Sequence, residues 1–506
     1  MKVFLMHPDR DFDAKVAPPA NEEQLVQDFG LDAIFDAMAG DDRLVRDVSK
    51  RVFLTGLGDV ESIRYRQAIL EDCLENPDVA RTIYAMAIEF IETKRRNWFG
   101  VYNVIYPSSV LFGAVRMLET ILPLLARLRK LAEDRGAHFK SAGFRRFFAM
   151  LEKELDDDYL ATARKRLTYL NSGKGFLISA RLGKGAEGRD YALRKPKEDR
   201  PGLRGIFRRR PQEFGFSIDP RDESGGKALS DLRDRGINRA ANALGQASDH
   251  IDSFFKLLQL EMAFYIGCLN LRERLEKIGD PWCFPEPFAT SSDRLAFRDL
   301  HDLSLAIASG KKTIGNDLEA DGRRLAIITG VNQGGKSTFL RSVGLAHLMM
   351  GAGMFVTARS FAADIRDGVF THYRRMEDRA MESGKFDEEL ARMNRIAESM
   401  GPTALILFNE SFAATNEREG AEIAGQIVRA LLEAGVKVLF VTHQYTFADG
   451  FAKAERNDII LLKAERRGDG SRSFRVVPGR PEPTSHGEDL YYAIFREEKA
   501  PVPAGS

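Results

Sequence analysis

The feature that most constrains this chain is the run Gly330-Val331-Asn332-Gln333-Gly334-Gly335-Lys336-Ser337, which follows the apolar stretch Leu325 to Thr329 and precedes Thr338, Phe339, Leu340, Val343 and Leu345. A strand, a glycine loop and a helix in that order fit the GxxxxGK[ST] pattern, in which backbone N–H groups turn inward around phosphate oxygens and the helix start adds a favourable dipole. Lys336 is then placed to reach the β- and γ-phosphates of ATP, and the Ser337 hydroxyl to serve Mg²⁺. The sheet that such a loop requires is supplied by two further apolar runs. Ala404 to Phe408 ends in Asn409-Glu410, and Lys437 to Val441 ends in Thr442-His443-Gln444. Glu410 is read as the catalytic carboxylate that polarises an attacking water, and His443 as a γ-phosphate sensor. Asn409 occupies a position where Asp usually assists the metal shell; its amide brings no charge, so weaker, indirect handling of Mg²⁺ is expected.

The character of the chain changes near residue 285. Before it helical periodicity dominates, with Asp59 as a cap ahead of Ile63, Leu70, Cys73 and Leu74, Pro77 as a stop, and further helical segments at 81–96, 109–134, 145–170 and 229–277. The sequence PWCFPEP at 281–287 ends this regime, since each Pro removes a donor and restricts the residue before it. Between 171 and 226 the pattern becomes Gly-rich and basic, with 176–182 and 214–218 as candidate short strands. The expected organisation is therefore multidomain: an α-helical region at 1–285 carrying a basic insertion at about 171–226, an α/β P-loop domain at 286–495, and a disordered tail at 496–506.

Charge and cysteine content limit the rest. A formal net charge of +1 gives no overall attraction to nucleic acid, so any such affinity must be local. The three cysteines, Cys73, Cys268 and Cys283, are widely spaced and fit neither a disulfide framework nor a metal motif, which together with an N-terminus unlike a signal peptide implies a cytoplasmic protein. The stretch 251–271 is read as the most apolar, and Lys256, Gln259 and Glu261 interrupt it, so it reads as a buried helix with no role in a membrane.

Over about 300–495 the chain resembles the MutS family of DNA mismatch repair ATPases. Residues 328–341 look like its Walker A block, Phe408 to Gly420 like its Walker B and D-loop region, and Val441-Thr442-His443 like its sensor strand. Gly353 to Ala358, Phe370-Thr371 and Thr484 to Gly487 add shorter similarities. The resemblance implies an ABC-type ATPase working as a dimer, each ATP closed over by the partner subunit, with Asn316 near the adenine. It weakens between Met381 and Met393: Phe386 and Glu389 match the family's signature, but Gly384 and Lys385 replace its hydroxyls, leaving Ser383 and Lys385 as candidates for the contact to the partner's nucleotide.

The N-terminal half is more weakly similar to the family's core and lever, through Asp59 to Gln67 and the long helix from Ile251. A shortened form is expected, and the family's Phe-x-Glu mismatch wedge has no counterpart recognised in the first hundred residues. Residues 171–226 stand where the family's DNA clamp would be. There Arg194, Lys195, Lys197, Arg200, Arg204, Arg208, Arg209 and Arg210 are candidates for phosphate contacts without base reading. The reading is an ATP-dependent, DNA-structure-binding homodimer of DNA-repair type. The competing readings are another ABC-type DNA-processing ATPase, a nucleotide-gated binding protein that hydrolyses little, and a P-loop small-molecule kinase.

Overall fold

The structure, a computed structural model, describes residues 1–97, 106–171, 175–195, 214–374, 384–467 and 472–482. The chain forms two compact units. One comprises 1–3, 81–139 and 144–259; the other comprises 4–80, 140–143 and 260–506. The change of character near 285 thus marks where the strands of the two larger sheets begin, whereas the compact units are divided otherwise: residues 4–80 group with 260–506.

The first part of the chain is helical: α1 (Glu22–Phe29), α2 (Leu31–Ala39), α3 (Arg43–Thr55), α4 (Val60–Glu75), α5 (Pro77–Asn97), α6 (Pro107–Arg135), α7 (Ala142–Glu154) and α8 (Asp157–Asn171). Local chemistry sets several ends. Asp42 accepts the N–H of Leu44 at 2.8 Å ahead of α3, and Asp59 that of Ser62 at 2.7 Å ahead of α4. Pro77 opens α5, where its missing N–H costs nothing. A hairpin of β1 (Leu177–Leu182) and β2 (Gly188–Arg194) follows, then one continuous helix, α9 (Glu223–Ile278), which contains the helical segment expected at 229–277. Residues 214–218 form no strand, since no neighbouring strand pairs with them.

Among the described residues two helical segments are apolar and long enough to cross a membrane by length and composition: 107–138, whose most apolar 18-residue stretch has mean hydropathy 1.6, and 223–278, whose corresponding stretch has 1.2. The apolar maximum therefore lies in α6 rather than at 251–271. The apolar stretch within 223–278 is 72% buried inside the molecule and that within 107–138 is 44% buried. The tripeptide Phe90-Ile91-Glu92 does spell a Phe-x-Glu pattern, which the sequence reading passed over. Phe90 is fully buried on α5 and stacks on Phe255 at 4.3 Å, so its ring belongs to the core.

The second part builds two sheets from β3 (Glu286–Phe288), β4 (Leu295–Leu300), β5 (Asn316–Glu319), β6 (Leu325–Gly330), β7 (Ser360–Asp364), β8 (Val369–Tyr373), β9 (Leu405–Asn409), β10 (Lys437–Val441), β11 (Ile459–Arg466) and β12 (Arg472–Pro478). The helices among them are α10 (Leu303–Ser309), α11 (Lys336–Gly351), α12 (Lys385–Ser399), α13 (Glu417–Glu433) and α14 (Tyr445–Lys453). The larger sheet has the order β12-β11-β6-β10-β9-β8 and is parallel apart from β12. Its central strands are continuous apolar runs because helices cover both faces. Ile327, Ile406, Phe408, Val438 and Phe440 share one core with Ala424 and Val428 of α13 and Phe447 of α14.

The same unit fixes the beginning of the chain through one buried carboxylate. Glu261 accepts the backbone N–H groups of Leu5, Met6 and Phe12 at 2.6, 3.1 and 3.0 Å. Arg66 binds the carbonyls of Met6 and, at 3.0 Å, of Ala352 just past α11. Burial outweighs the three N–H bonds and pushes the Glu261 carboxyl from its ordinary 4.5 up to about 7. The folded state therefore keeps a proton that the unfolded chain has released. This contribution is fully present below pH 4.5 and is lost as pH rises through 7, a change of about 3 kcal/mol. Denaturant unfolding of Glu261→Gln should show a flatter dependence of stability on pH across that window; an unchanged slope would contradict the assignment.

Candidate functional site

The parallel order places β10 between β6 and β9, so the carboxyl ends of three strands lie side by side. Such an edge is where open α/β sheets place ligand-handling groups. From β6 the chain enters the glycine loop and then α11, which begins at Lys336, two residues before the expected start. The loop conformation requires glycine. Gly335 has φ 91°, and a Cβ there would stand 2.9 Å from the carbonyl oxygen of Phe474. A Cβ on Gly334 would collide with the Ala464 and Val331 side chains at 2.8 Å. The β11–β12 hairpin thus packs closely over the loop, and Arg472 Nη1 donates to Gln333 Oε1 at 2.7 Å.

Lys336 is buried, and its Nζ donates to the carbonyls of Gly330 and Val331 at 3.0 and 2.9 Å. Burial pushes its ammonium down to about 8; the charge of Glu410 opposes that shift and Arg472 adds to it. Ser337 Oγ donates to Asn409 Oδ1 at 3.0 Å, joining the start of α11 to the end of β9. Glu410 follows with φ 56°, and its backbone N–H donates to Val441 at 2.9 Å. Its Oε1 takes a 2.8 Å hydrogen bond from His443 Nε2, and this bond holds the carboxyl below its ordinary range although desolvation pulls upward. Lys336, Ser337, Asn409, Glu410 and His443 are therefore brought together. Val331 is buried, while Asn332 and Gln333 stay exposed and Thr338 lies within the first turn of α11.

The other expected positions are placed differently. Asn316 is buried in β5, and its side-chain carbonyl accepts the N–H of Val476 at 2.8 Å, a tie between β5 and β12. Lys385 opens α12, whereas Ser383 lies outside the described residues. Arg194 and Lys195 are exposed at the end of β2, where Arg194 Nε donates to Ser179 Oγ at 2.7 Å. Lys197, Arg200, Arg204 and Arg208 to Arg210 fall outside the described residues, as do Thr484 to Gly487 and the tail. Sequence reasoning missed Arg472, His372, Phe412 and Gln444. Each acts through a partner distant in sequence, and no local pattern marks it.

Comparison with known proteins places the sequence in a family. The family described as MutS2 N-terminal domain matches residues 58–278, and that described as MutS domain V matches 326–487. The DNA mismatch repair protein MutS of Thermotoga neapolitana is 35% identical over 194 residues, 37% of this chain and 24% of that protein. Its counterpart in Acetivibrio thermocellus is 28% identical over 232 residues, 42% of this chain and 27% of that protein. That of Methanosarcina mazei is 29% identical over 228 residues, 44% and 25% respectively. The chain thus spans about a quarter of the length of these relatives. Fold and site together define a multidomain protein of helices and mixed α/β sheets with a glycine loop at the sheet edge. The chain belongs to the MutS family.

The close approach of Phe474 to Gly335 carries a stability prediction. Gly335→Ala should lower stability by about 1–3 kcal/mol, because alanine disfavours φ 91° and its methyl displaces the hairpin. Thermal unfolding measures the loss, and an alanine variant as stable as the parent would refute this loop conformation.

Proposed function

We propose that this protein binds and hydrolyses ATP with Mg²⁺ at a homodimer interface and uses that cycle to control its hold on DNA structures, without reading mismatches. The observation that carries the reading is the convergence of Lys336, Ser337, Asn409, Glu410 and His443 from three adjacent strand ends. The relatives' names, DNA mismatch repair protein, support the DNA side.

The donor set fits Mg²⁺. Ser337 and Asn409 place two neutral oxygens 3.0 Å apart, and a cation that keeps waters and binds phosphate oxygens needs no dedicated cage. Among the described residues no group of three or more His, Cys, Asp and Glu forms such a cage. Held there by Ser337 and Asn409, the ion would supply positive charge to offset that of the phosphates. Lys336 exchanges its two loop carbonyls for phosphate oxygens and holds the γ-phosphoryl group in place. Glu410, ionised and oriented by His443, accepts a proton from the attacking water as its oxygen bonds to the γ-phosphorus; the bond to the bridging oxygen breaks and ADP leaves. A second reading, a nucleotide-gated binder that turns over little, is favoured by the neutral Asn409 at the end of β9.

Lys336→Ala should abolish most hydrolysis while the protein stays folded, and Glu410→Gln should still bind ATP and accumulate as a closed dimer. Turnover assays and light scattering with ATP check both; a folded Lys336→Ala variant with parental turnover would overturn the site. On the DNA side, exposed Arg194 and Lys195 offer positive charge for contacts to phosphates. Homoduplex and single-mismatch duplex of equal length should therefore compete equally at fixed salt. A mismatch preference beyond about tenfold, or 1.4 kcal/mol, would require a base-reading element.

A further inference from the structure

Glu389 lies on α12, four residues past its first residue Lys385, and is buried. One oxygen of its carboxylate accepts the backbone N–H of Phe412 at 2.8 Å. That N–H is two residues beyond Glu410, in a turn where Glu410 and Phe412 both have positive φ, 56° and 60°. Non-glycine residues keep such conformations only where their surroundings impose them. Here the surroundings are specific. Gln444 Nε2 donates to the Phe412 carbonyl at 2.9 Å, and the His372 ring stacks on the Phe412 ring at 5.1 Å. His372 Nδ1 lies 2.7 Å from Ser411 Oγ, and its Nε2 lies 3.0 Å from the Glu389 carbonyl. The carboxylate of Glu389 is the contact that α12 itself makes to the backbone of this turn.

We propose that Glu389 is a positioning residue: by holding the Phe412 N–H it keeps the 410–412 turn in the conformation that faces Glu410 toward His443, and it couples α12 to the water-activating group. This rests on the reading of Glu410 given above. Without the acceptor the buried N–H of Phe412 loses its partner, and the turn relaxes toward negative φ, carrying the Glu410 carboxylate away. A displacement of α12 reaches Glu410 through the same hydrogen bond.

The test compares Glu389→Ala, Glu389→Gln and Glu389→Asp in the full chain by steady-state ATP turnover, ATP binding and thermal unfolding. Glu389→Ala should lower kcat about tenfold or more with ATP affinity nearly unchanged, the pattern of a lost transition-state contribution. Glu389→Gln should recover most of kcat, because its side-chain carbonyl still accepts from Phe412. Glu389→Asp, one methylene short, should behave like Ala. A Glu389→Ala variant with parental kcat, a loss of ATP binding in step with kcat, or Gln and Ala equally impaired would each overturn the proposal. If Glu389→Ala does not fold, the order of Gln above Asp decides, and the reverse order overturns. A parent without ATP turnover removes the reading of Glu410 and this inference together. An active parent silenced by Glu410→Gln but indifferent to Glu389→Ala removes this inference alone.

Discussion

The site depends on the parallel pairing of β10 with β6 on one side and β9 on the other. Val441 is level with Asn409 and with Ile328, and β6 runs two residues further to Gly330, so the residues that follow each strand emerge at one edge. Both faces of these strands are buried, and a slip of one residue would exchange the faces of Leu439 and Phe440, of which Phe440 packs against Phe447 of α14. The hydrogen bond from Glu410 N–H to Val441 extends the ladder one step beyond the strand and carries the register into the site.

Electrostatics at that edge follow from the same geometry. Lys336 is buried and its ammonium is pushed down, while Glu410, half-exposed, is held low chiefly by the hydrogen bond from His443. The two charges support one another: Glu410 raises the pKa of Lys336, and Lys336 lowers that of Glu410. A phosphate group entering this edge meets a cation at the loop and a carboxylate held apart from it at the strand end. Such a separation lets one end bind an anion while the other handles a proton.

Local features of both fold and site were legible in the sequence. The glycine loop, the apolar strands ending at Phe408 and Val441, the cap at Asp59 and the stop at Pro77 are read from neighbours within a few residues. What remained hidden is long-range. The Gln333–Arg472 bond spans 139 positions, that from Glu261 to Leu5 spans 256, and that from Asn316 to Val476 spans 160. Periodicity carries no information about such pairs. The same limit explains Phe90, whose tripeptide matches a wedge pattern while its ring is committed to packing against Phe255.

Backbone strain is distributed in a way that ties these observations together. Among the described residues nine that are not glycine have positive φ, and four of them, Gln333, Glu410, Phe412 and Phe474, belong to the loop, the turn and the hairpin around the site. Each is close to a tie from a remote element: Arg472 on Gln333, His443 on Glu410, Gln444 on Phe412, and Asn316 on the N–H of Val476 two residues past Phe474. Strained residues at functional sites persist when the surroundings determine them more than once. The remote bonds therefore serve the conformation of a few residues at one sheet edge, and the helices behind that edge fix where those bonds can form.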